Sequence, residues 1–129
     1  MTLYPIDEGL FHDGQMRLAA LEGEEMMGCV DLYNYDPVNR RAAVGIVVQP
    51  ERRHQGVGTQ MLEALVGFCQ QSLHLHQLYC DVAATNPASL HLFDKAGYVR
   101  CGTMRDWVAS NNGGFVDTVR FQYLIPAKH

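Results

Sequence analysis

A glycine-rich turn before a predicted helix is the segment of this chain best suited to bind a ligand. In "RRHQGVGT" (52–59), Gly56 and Gly58 are separated by one residue and follow a basic cluster. The first amides of a helix have no backbone acceptor and lie at the positive end of the helix dipole, so they bind anions. Glycine removes the β-carbon that would keep a phosphate away from the backbone. The segment 53–59 therefore predicts a phosphate or pyrophosphate site.

Two common phosphate-binding motifs do not fit this segment. A Walker loop requires lysine after its last glycine, and Thr59 stands there. The dinucleotide-binding fingerprint requires a third glycine at position 61, which is Met61. That fingerprint also belongs early in its fold, whereas three strands are predicted before this turn. The predicted phosphate site therefore belongs to another class of fold.

The spacing of apolar residues predicts the elements that hold the turn in place. Period-two patterns and β-branched runs predict strands at 15–21, 26–35, 41–49, 78–84, 98–108 and 115–124. Helical spacing predicts a helix at 59–73. A second helix at 86–97 is bounded by Asn86 as N-cap, Pro87 in its first turn and Gly97 after its end.

The order of these elements, β-β-β-α-β-α-β-β, predicts an α/β domain built on a mixed sheet. Antiparallel hairpins are expected to flank a central parallel pair of strands, with helices on the faces of the sheet. In the last strand, Val119, Phe121 and Tyr123 are predicted to share one face, opposite Arg120 and its neighbours at even positions.

Composition limits the class of protein. The 129 residues predict a single domain, 1–129, and the formal net charge of −4 argues against nucleic acid as a partner. No apolar run is long enough to span a membrane, and the first residues lack a secretory signal, so we expect a cytoplasmic protein with no membrane partner. The four cysteines form no C-x-x-C pair, which favours free thiols and no metal site.

Two motifs resemble those of a known family. "VGIVVQPERRHQGVGTQMLEAL" resembles the acetyl-CoA-binding motif of the GNAT N-acetyltransferases, whose core [Q/R]-x-x-G-x-[G/A] corresponds to 53–58. "NPASLHLFDKAGY" resembles the second motif of that family, and the resemblance covers about 15–125. The segments "GYVRCGTMRDW" and "GGFVDTVRFQYLI" are similar to the branch that holds bacterial spermidine or diamine acetyltransferases and ribosomal-protein N-terminal acetyltransferases.

The resemblance implies acetyl-CoA as co-substrate and assigns it a binding site. It implies that the pyrophosphate lies on the amides of 55–59, that the pantetheine arm runs along 46–48, and that the Ile46 amide polarises the thioester carbonyl. His54 is expected either to contact a phosphate or to face solvent. The implied cofactor-binding residues are Ile46, Val47, Val48, Arg53, His54, Gln55, Gly56, Val57, Gly58, Thr59, Asn86, Phe93 and Lys95.

The implied reaction is direct attack of a primary amine on the thioester, for which the family's usual acid and base are missing. Many relatives carry a glutamate on the strand before the turn, where this chain has Ala42 and Ala43. Many also carry a tyrosine on the second helix, where this chain has Phe93, which has no proton to donate. Asp81, Tyr98 or Asp106 are the alternatives, and we predict Ile46, Asp81 and Tyr98 as the catalytic set.

The acceptor side of the site is less completely encoded. Members of the family begin with a strand and two helices that form one wall of the acceptor pocket, whereas only residues 1–14 precede the first predicted strand. We therefore expect these elements to be missing or shortened, or the wall to come from another subunit of a homodimer. Trp107 is expected to stack on an acceptor or to lie in the core or a dimer contact.

The predicted function is acetylation of a small amine, with polyamines or diamines first, because a net negative charge suits a cationic substrate. Two alternatives stay open at this point. One is acetylation of a protein N-terminus, as in ribosomal-protein acetyltransferases. The other is a non-catalytic acetyl-CoA-binding module, which the missing acid and base would fit.

Overall fold

The structure is a computed structural model that describes residues 1–6 and 13–127. It contains a sheet of seven strands and two α-helices, with a short 3-10 turn at Pro50–Arg52 before the first helix. The strands are β1 (Thr2–Pro5), β2 (Met16–Glu22), β3 (Glu25–Asp36), β4 (Arg41–Val48), β5 (Gln77–Ala83), β6 (Val99–Ala109) and β7 (Phe115–Leu124). The helices are α1 (Val57–Ser72) and α2 (Pro87–Lys95).

The sheet has the predicted mixed topology. Its strand order is β1-β2-β3-β4-β5-β7-β6, and only the central pair, β4 and β5, is parallel. Every other neighbouring pair is antiparallel. The prediction of antiparallel hairpins around a central parallel pair is therefore confirmed.

The central parallel pair diverges after a short contact. Strands β4 and β5 are paired only where Arg41, Ala42 and Ala43 face Gln77, Leu78 and Tyr79. Beyond those pairs, 44–48 of β4 remains bonded to β3 and 80–83 of β5 remains bonded to β7. The space between these two segments, called the gap below, is an opening in the middle of the sheet.

Both described helices pack on one face of the sheet. Leu62, Leu65 and Cys69 of α1 belong to the same buried cluster as the inward residues of β5. The ring of Phe93 on α2 lies 5.8 Å from that of Phe121 on β7, which is fully buried. Arg120 is exposed on the other side, as the alternation in β7 predicted. The opposite side, called the open face, carries no helix in the described ranges 1–6 and 13–127.

The first strand was not predicted. Its four residues pair antiparallel with β2, with Leu3 opposite Ala20, and Leu3 is buried in the core. The sequence "TLYP" is too short for a period-two pattern and ends in proline, which explains why it gave no strand signal. The expectation about helices before β2 falls partly on residues 7–12, which lie outside the described residues.

The two helix starts differ in their capping. Asn86 caps α2 as predicted, because its side-chain oxygen accepts a hydrogen bond from the Ser89 amide at 3.2 Å. Helix α1 begins at Val57, two residues earlier than predicted, and Gly56 precedes it with a positive φ of 77°. Since Gly56 has no side chain to cap the helix, the first amides of α1 keep their capacity to bind an anion.

Candidate active site

The start of α1 opens onto a basic cavity of about 420 Å³. Its cationic lining comes from the turn before α1 and from the end of α2, and comprises Arg52, Arg53 and Lys95, with His54 and His91 beside them. Gly56, Val57, Gly58 and Thr59 complete it at the helix start. A cavity that combines free helix amides with cationic side chains suits a phosphate or pyrophosphate group.

Arg53 and Arg52 are held in this turn by contacts to neighbouring strands. Arg53 Nε donates to the backbone oxygen of Val48 at 3.3 Å. Arg52 forms an ion pair with Glu25 of β3, so part of its charge is neutralised before a ligand arrives. Arg53 and Lys95 therefore contribute most to the positive charge of the basic cavity.

The two glycines of the turn have different physical roles. Gly56 has a left-handed backbone, and a β-carbon there would meet nothing within 4 Å, so the conformation itself requires glycine and leaves the space beside it open. A β-carbon on Gly58 would lie 3.0 Å from Leu92 Cδ1 and 3.5 Å from Val48 Cγ2. Gly58 therefore allows α1 to pack closely against α2 and β4. The sequence analysis attributed both glycines to phosphate approach; Gly58 does line the basic cavity, and its close packing is a second reason for glycine there.

The backbone of β4 presents free hydrogen-bonding groups to the gap. The Gln49 amide donates to Met27 of β3 at 2.9 Å, whereas the Val48 oxygen, on the other side of the strand, accepts from Arg53. Backbone groups of successive strand residues point to opposite sides, so the Ile46 amide faces the gap, where β5 has moved away. Ile46 thus lies where an amide donor to a bound carbonyl group would be needed.

The gap contains a cavity of about 220 Å³ that has walls from both faces of the sheet. From the helix side it is lined by Ile46, Cys80, Asn86, Ser89 and Phe93 among others. From the open face it is lined by Tyr33, Gly45 and Asp81. A molecule in the basic cavity and a molecule on the open face could therefore meet inside this gap cavity.

Asp81, one of the predicted catalytic residues, lines the gap cavity, and its carboxylate has a partner. Arg120 of β7 donates to both carboxylate oxygens, at 2.8 and 2.9 Å. The guanidinium also lies over the ring of Tyr79, 4.9 Å from its centroid. The bidentate bond raises the pKa of Arg120 above its ordinary value, so the guanidinium stays charged.

A second pair of the same kind lies across the gap. Arg17 of β2 donates to Asp31 of β3 at 2.8 and 3.1 Å. Since Asp31 is directly opposite Gly45 on β4, the two ion pairs flank Gly45 on the open face. Both carboxylates are thus fixed in position by an arginine.

Tyr33 is the residue at the gap that the sequence analysis missed. A β-carbon on Gly45 would lie 3.7 Å from its Cε1 atom, so the ring extends from β3 across β4 at this glycine. Burial raises the pKa of the Tyr33 hydroxyl, and the negative charge of Asp81 on the far side of the gap raises it further. The period-two pattern put Tyr33 on a face, but no sequence signal placed it at an opening.

Tyr98 does not lie at the gap, contrary to its predicted catalytic role. Its side chain is only 4% exposed and packs on the helix side between Phe93 and Tyr123, with ring centroids at 5.0 and 5.1 Å. Its hydroxyl has no hydrogen-bond partner within the described part of the chain, and burial raises its pKa. The position fits a core residue. The alternative Asp106 lies in a bulge of β6, where its amide donates to Asp117.

The remaining predicted residues divide into two groups. Val48, Asn86, Phe93 and Lys95 line one or other of the two cavities. Val47 is exposed, and Gln55 directs its side-chain amide to the backbone oxygen of Glu51 at 3.2 Å.

Two further properties concern the described residues as a whole. In 1–6 and 13–127, histidine, cysteine and carboxylate side chains form no group of three that could hold a metal ion. Neither of the two helices in this part of the chain has the length and apolar character needed to cross a membrane.

The comparison with protein families agrees with this geometry. The sequence matches the acetyltransferase (GNAT) family over residues 2–98. The chain therefore belongs to the GNAT acetyltransferases, a family of acetyl-CoA-dependent N-acetyltransferases. The sequence-based resemblance is confirmed.

Individual relatives share the fold at modest identity. The chain is 26% identical over 120 residues to a spermidine N(1)-acetyltransferase of Vibrio cholerae, covering 92% of this chain and 68% of that one. It is 28% identical over 123 residues to the Escherichia coli K12 spermidine N(1)-acetyltransferase, covering 92% and 65%. The Vibrio cholerae enzyme in complex with CoA and spermine superposes with a TM-score of 0.79 and 26% identity, covering 88% and 68%. The chain thus spans about two thirds of the length of these relatives.

Proposed function

We propose that this domain transfers the acetyl group of acetyl-CoA to a primary amine, and that the amine is a polyamine or diamine. The observation that carries the proposal is the opening of the sheet between β4 and β5. It places the basic cavity at the start of α1 and the open face of the sheet on either side of one small cavity. Donor and acceptor can then bind from opposite sides, which makes the reaction effectively intramolecular.

The residues of the basic cavity fit the diphosphate of CoA. The open space beside Gly56 leaves room for a phosphate against the first amides of α1, and Arg53 and Lys95 offset its charge. Asn86 and Phe93 line the path from this cavity to the gap. When bound, acetyl-CoA supplies its acetyl group as a thioester. The Ile46 amide donates to the thioester carbonyl oxygen, where negative charge develops during attack.

The open face supports a small amine as acceptor. An amine that enters the gap cavity from this side passes between the Asp31 and Asp81 carboxylates, and its nitrogen lies within the reach of Tyr33. Asp81 positions the amine and accepts a hydrogen bond from it with the lone pairs that Arg120 leaves unused. The two relatives described above are spermidine N(1)-acetyltransferases, which agrees with this substrate class.

The decisive assay measures CoA thiol release from acetyl-CoA with a panel of amines. Spermidine, spermine, putrescine, single amino acids and short peptides should be compared at equal concentration. We expect turnover with the polyamines and diamines and little with the others. Turnover with peptides alone would assign the protein N-terminal alternative. Acetyl-CoA binding with turnover on no amine would assign the non-catalytic binding module and reject the enzyme.

A pair of glycine variants on α1 tests the phosphate site separately. Gly56→Val adds a side chain beside the first helix amides, and we expect it to abolish CoA binding in calorimetry. Gly67→Ala is the matched control, because Gly67 lies in the same helix and a β-carbon there meets nothing within 4 Å. Unchanged CoA affinity in Gly56→Val would contradict the assigned site.

We also propose that the chain acts as a cytoplasmic homodimer. The β6–β7 hairpin exposes the large apolar side chains of Trp107, Val108 and Phe115, with Trp107 62% exposed. That exposure excludes the core role considered for Trp107. Exposed apolar side chains concentrated on one hairpin are typical of a contact surface. Analytical sedimentation of the wild type and of Trp107→Ser distinguishes monomer from dimer. We expect a dimer for the wild type and weaker association for the variant.

A further inference from the structure

We infer that Tyr33 is the proton donor of acetyl transfer, delivering its hydroxyl proton to the CoA sulfur from the open face. This inference rests on the proposed function, and it concerns the protonation of the leaving sulfur. Phe93 lines the cavity from α2 and has no proton to donate.

The geometry places the Tyr33 hydroxyl across β4. The residue belongs to β3, where it is directly opposite Ala43, and its ring edge passes Gly45, the next residue of β4 on the same face. Charged and polar groups of β5, Asp81, Cys80 and Tyr79, act on the hydroxyl. The Tyr33 side chain thus extends from β3 across β4 to the gap between β4 and β5. Glycine at position 45 leaves the space that the ring needs to cross β4.

The other proton-bearing groups that line the gap cavity are poorer donors. The Cys80 side chain is only 2% exposed and belongs to the buried cluster on the helix side of the sheet. Both carboxylate oxygens of Asp81 already accept hydrogen bonds from Arg120, so this group is positioned as an acceptor. The Ser89 hydroxyl is a much weaker acid than a phenol. Tyr33 carries a proton throughout the physiological range because its pKa lies above the ordinary value.

The proposed step balances without any added reactant. The amine nitrogen forms a bond to the acetyl carbon, the carbon–sulfur bond breaks, and its electron pair goes to sulfur. Tyr33 gives its proton to that sulfur, which leaves as the CoA thiol. The proton released by the attacking nitrogen returns to the Tyr33 oxygen, so the residue ends each cycle in its starting form.

Tyr33→Phe removes only the hydroxyl and tests the step directly. We expect kcat to fall by roughly 100-fold or more, as for loss of a general acid. The KM for acetyl-CoA, the CoA affinity in calorimetry and the thermal midpoint should not change. Tyr4→Phe is the control, since Tyr4 lies on β1 at the edge of the sheet and does not line the gap cavity. Its kcat should equal that of the wild type.

A spectroscopic readout tests contact with the CoA sulfur without turnover. In protein labelled with ¹³C at tyrosine Cζ, the Tyr33 resonance, assigned by its loss in Tyr33→Phe, should shift when CoA is added. The Tyr4 resonance should stay in place.

The outcomes separate this inference from the proposed function. The role of Tyr33 alone is overturned if the wild type is active and the Tyr33→Phe variant is equally active. It is also overturned if the Tyr33 resonance does not shift when CoA is added. A wild type without turnover on any amine overturns the proposed function, and the assignment of Tyr33 with it.

Discussion

The close packing of Gly58 against Leu92 predicts a measurable coupling between these two residues. In Gly58→Ala the new β-carbon would lie 3.0 Å from Leu92 Cδ1 and 3.3 Å from Cδ2, where carbon atoms prefer roughly 3.5–4.0 Å. Alanine in place of helical glycine gains about 1 kcal/mol, and overpacking costs about 1–3 kcal/mol. We expect a net loss of roughly 0–2 kcal/mol in the free energy of unfolding.

Truncating the partner should relieve this strain. Leu92→Ala alone is expected to cost about 1–2 kcal/mol, because the side chain is only partly buried against the core. In the double variant the alanine methyl at position 58 occupies part of the space that Leu92 vacates. The double variant should therefore be more stable than the sum of the single effects by about 1 kcal/mol or more.

Urea unfolding of the four proteins at equal m-values measures this coupling. Gly67→Ala combined with Leu92→Ala is the control cycle, which should be additive, since a β-carbon on Gly67 has no neighbour within 4 Å. Additivity within about 0.5 kcal/mol in the Gly58 cycle would refute the packing role of that glycine. Ligand binding would then be the explanation for both glycines of the turn, as the sequence alone suggested.

Three other results are expected from the same structure. Gly67→Ala should raise the free energy of unfolding by about 1 kcal/mol in urea, since helix propensity improves at a site with open space. In the native protein at pH 8, a thiol reagent should label the exposed Cys101 first and the buried Cys80 only on unfolding, because a pKa of about 12 leaves about one thiolate in ten thousand. Hydrogen bonds from the β3–β4 turn, chiefly from the Asn39 backbone amide, lower the pKa of Asp36. The charged carboxylate therefore stabilises the folded state above the unfolded pKa near 3.8. This stabilisation is lost as the pH falls through the lower pKa of the folded state. Asp36→Asn should therefore show a shallower fall of the thermal midpoint between pH 4 and pH 2, and a fall equal to that of the wild type would contradict this account.

Local signals in the sequence were enough for both helices and for all strands but one. The cap at Asn86 and the alternation in β7 are each determined by neighbouring residues, and both appear in the structure. The short strand β1 was missed because four residues ending in proline carry no periodic pattern.

The acceptor side could not be predicted with the same success because it depends on contacts between distant segments. Tyr98 follows a clear motif, yet its direction into the core is decided by packing against Phe93 and Tyr123. Asp81 lines the gap cavity, but its bond to Arg120, 39 residues away, could not be predicted from the sequence. The spacing of residues along a strand assigns each side chain to a face of the sheet, but it does not identify the residues of other strands that the side chain contacts.

The sequence by itself predicted a glycine turn before a helix and determined a fold order that matches an acetyltransferase, because caps, glycine positions and periodicity are short-range properties. Only the tertiary structure decided where the sheet opens. The separation of β4 from β5 beyond Ala43 brings the Ile46 amide, Asp81 and Tyr33 from three strands to one cavity. This arrangement depends on the pairing of strands far apart in the chain, which no local sequence pattern records.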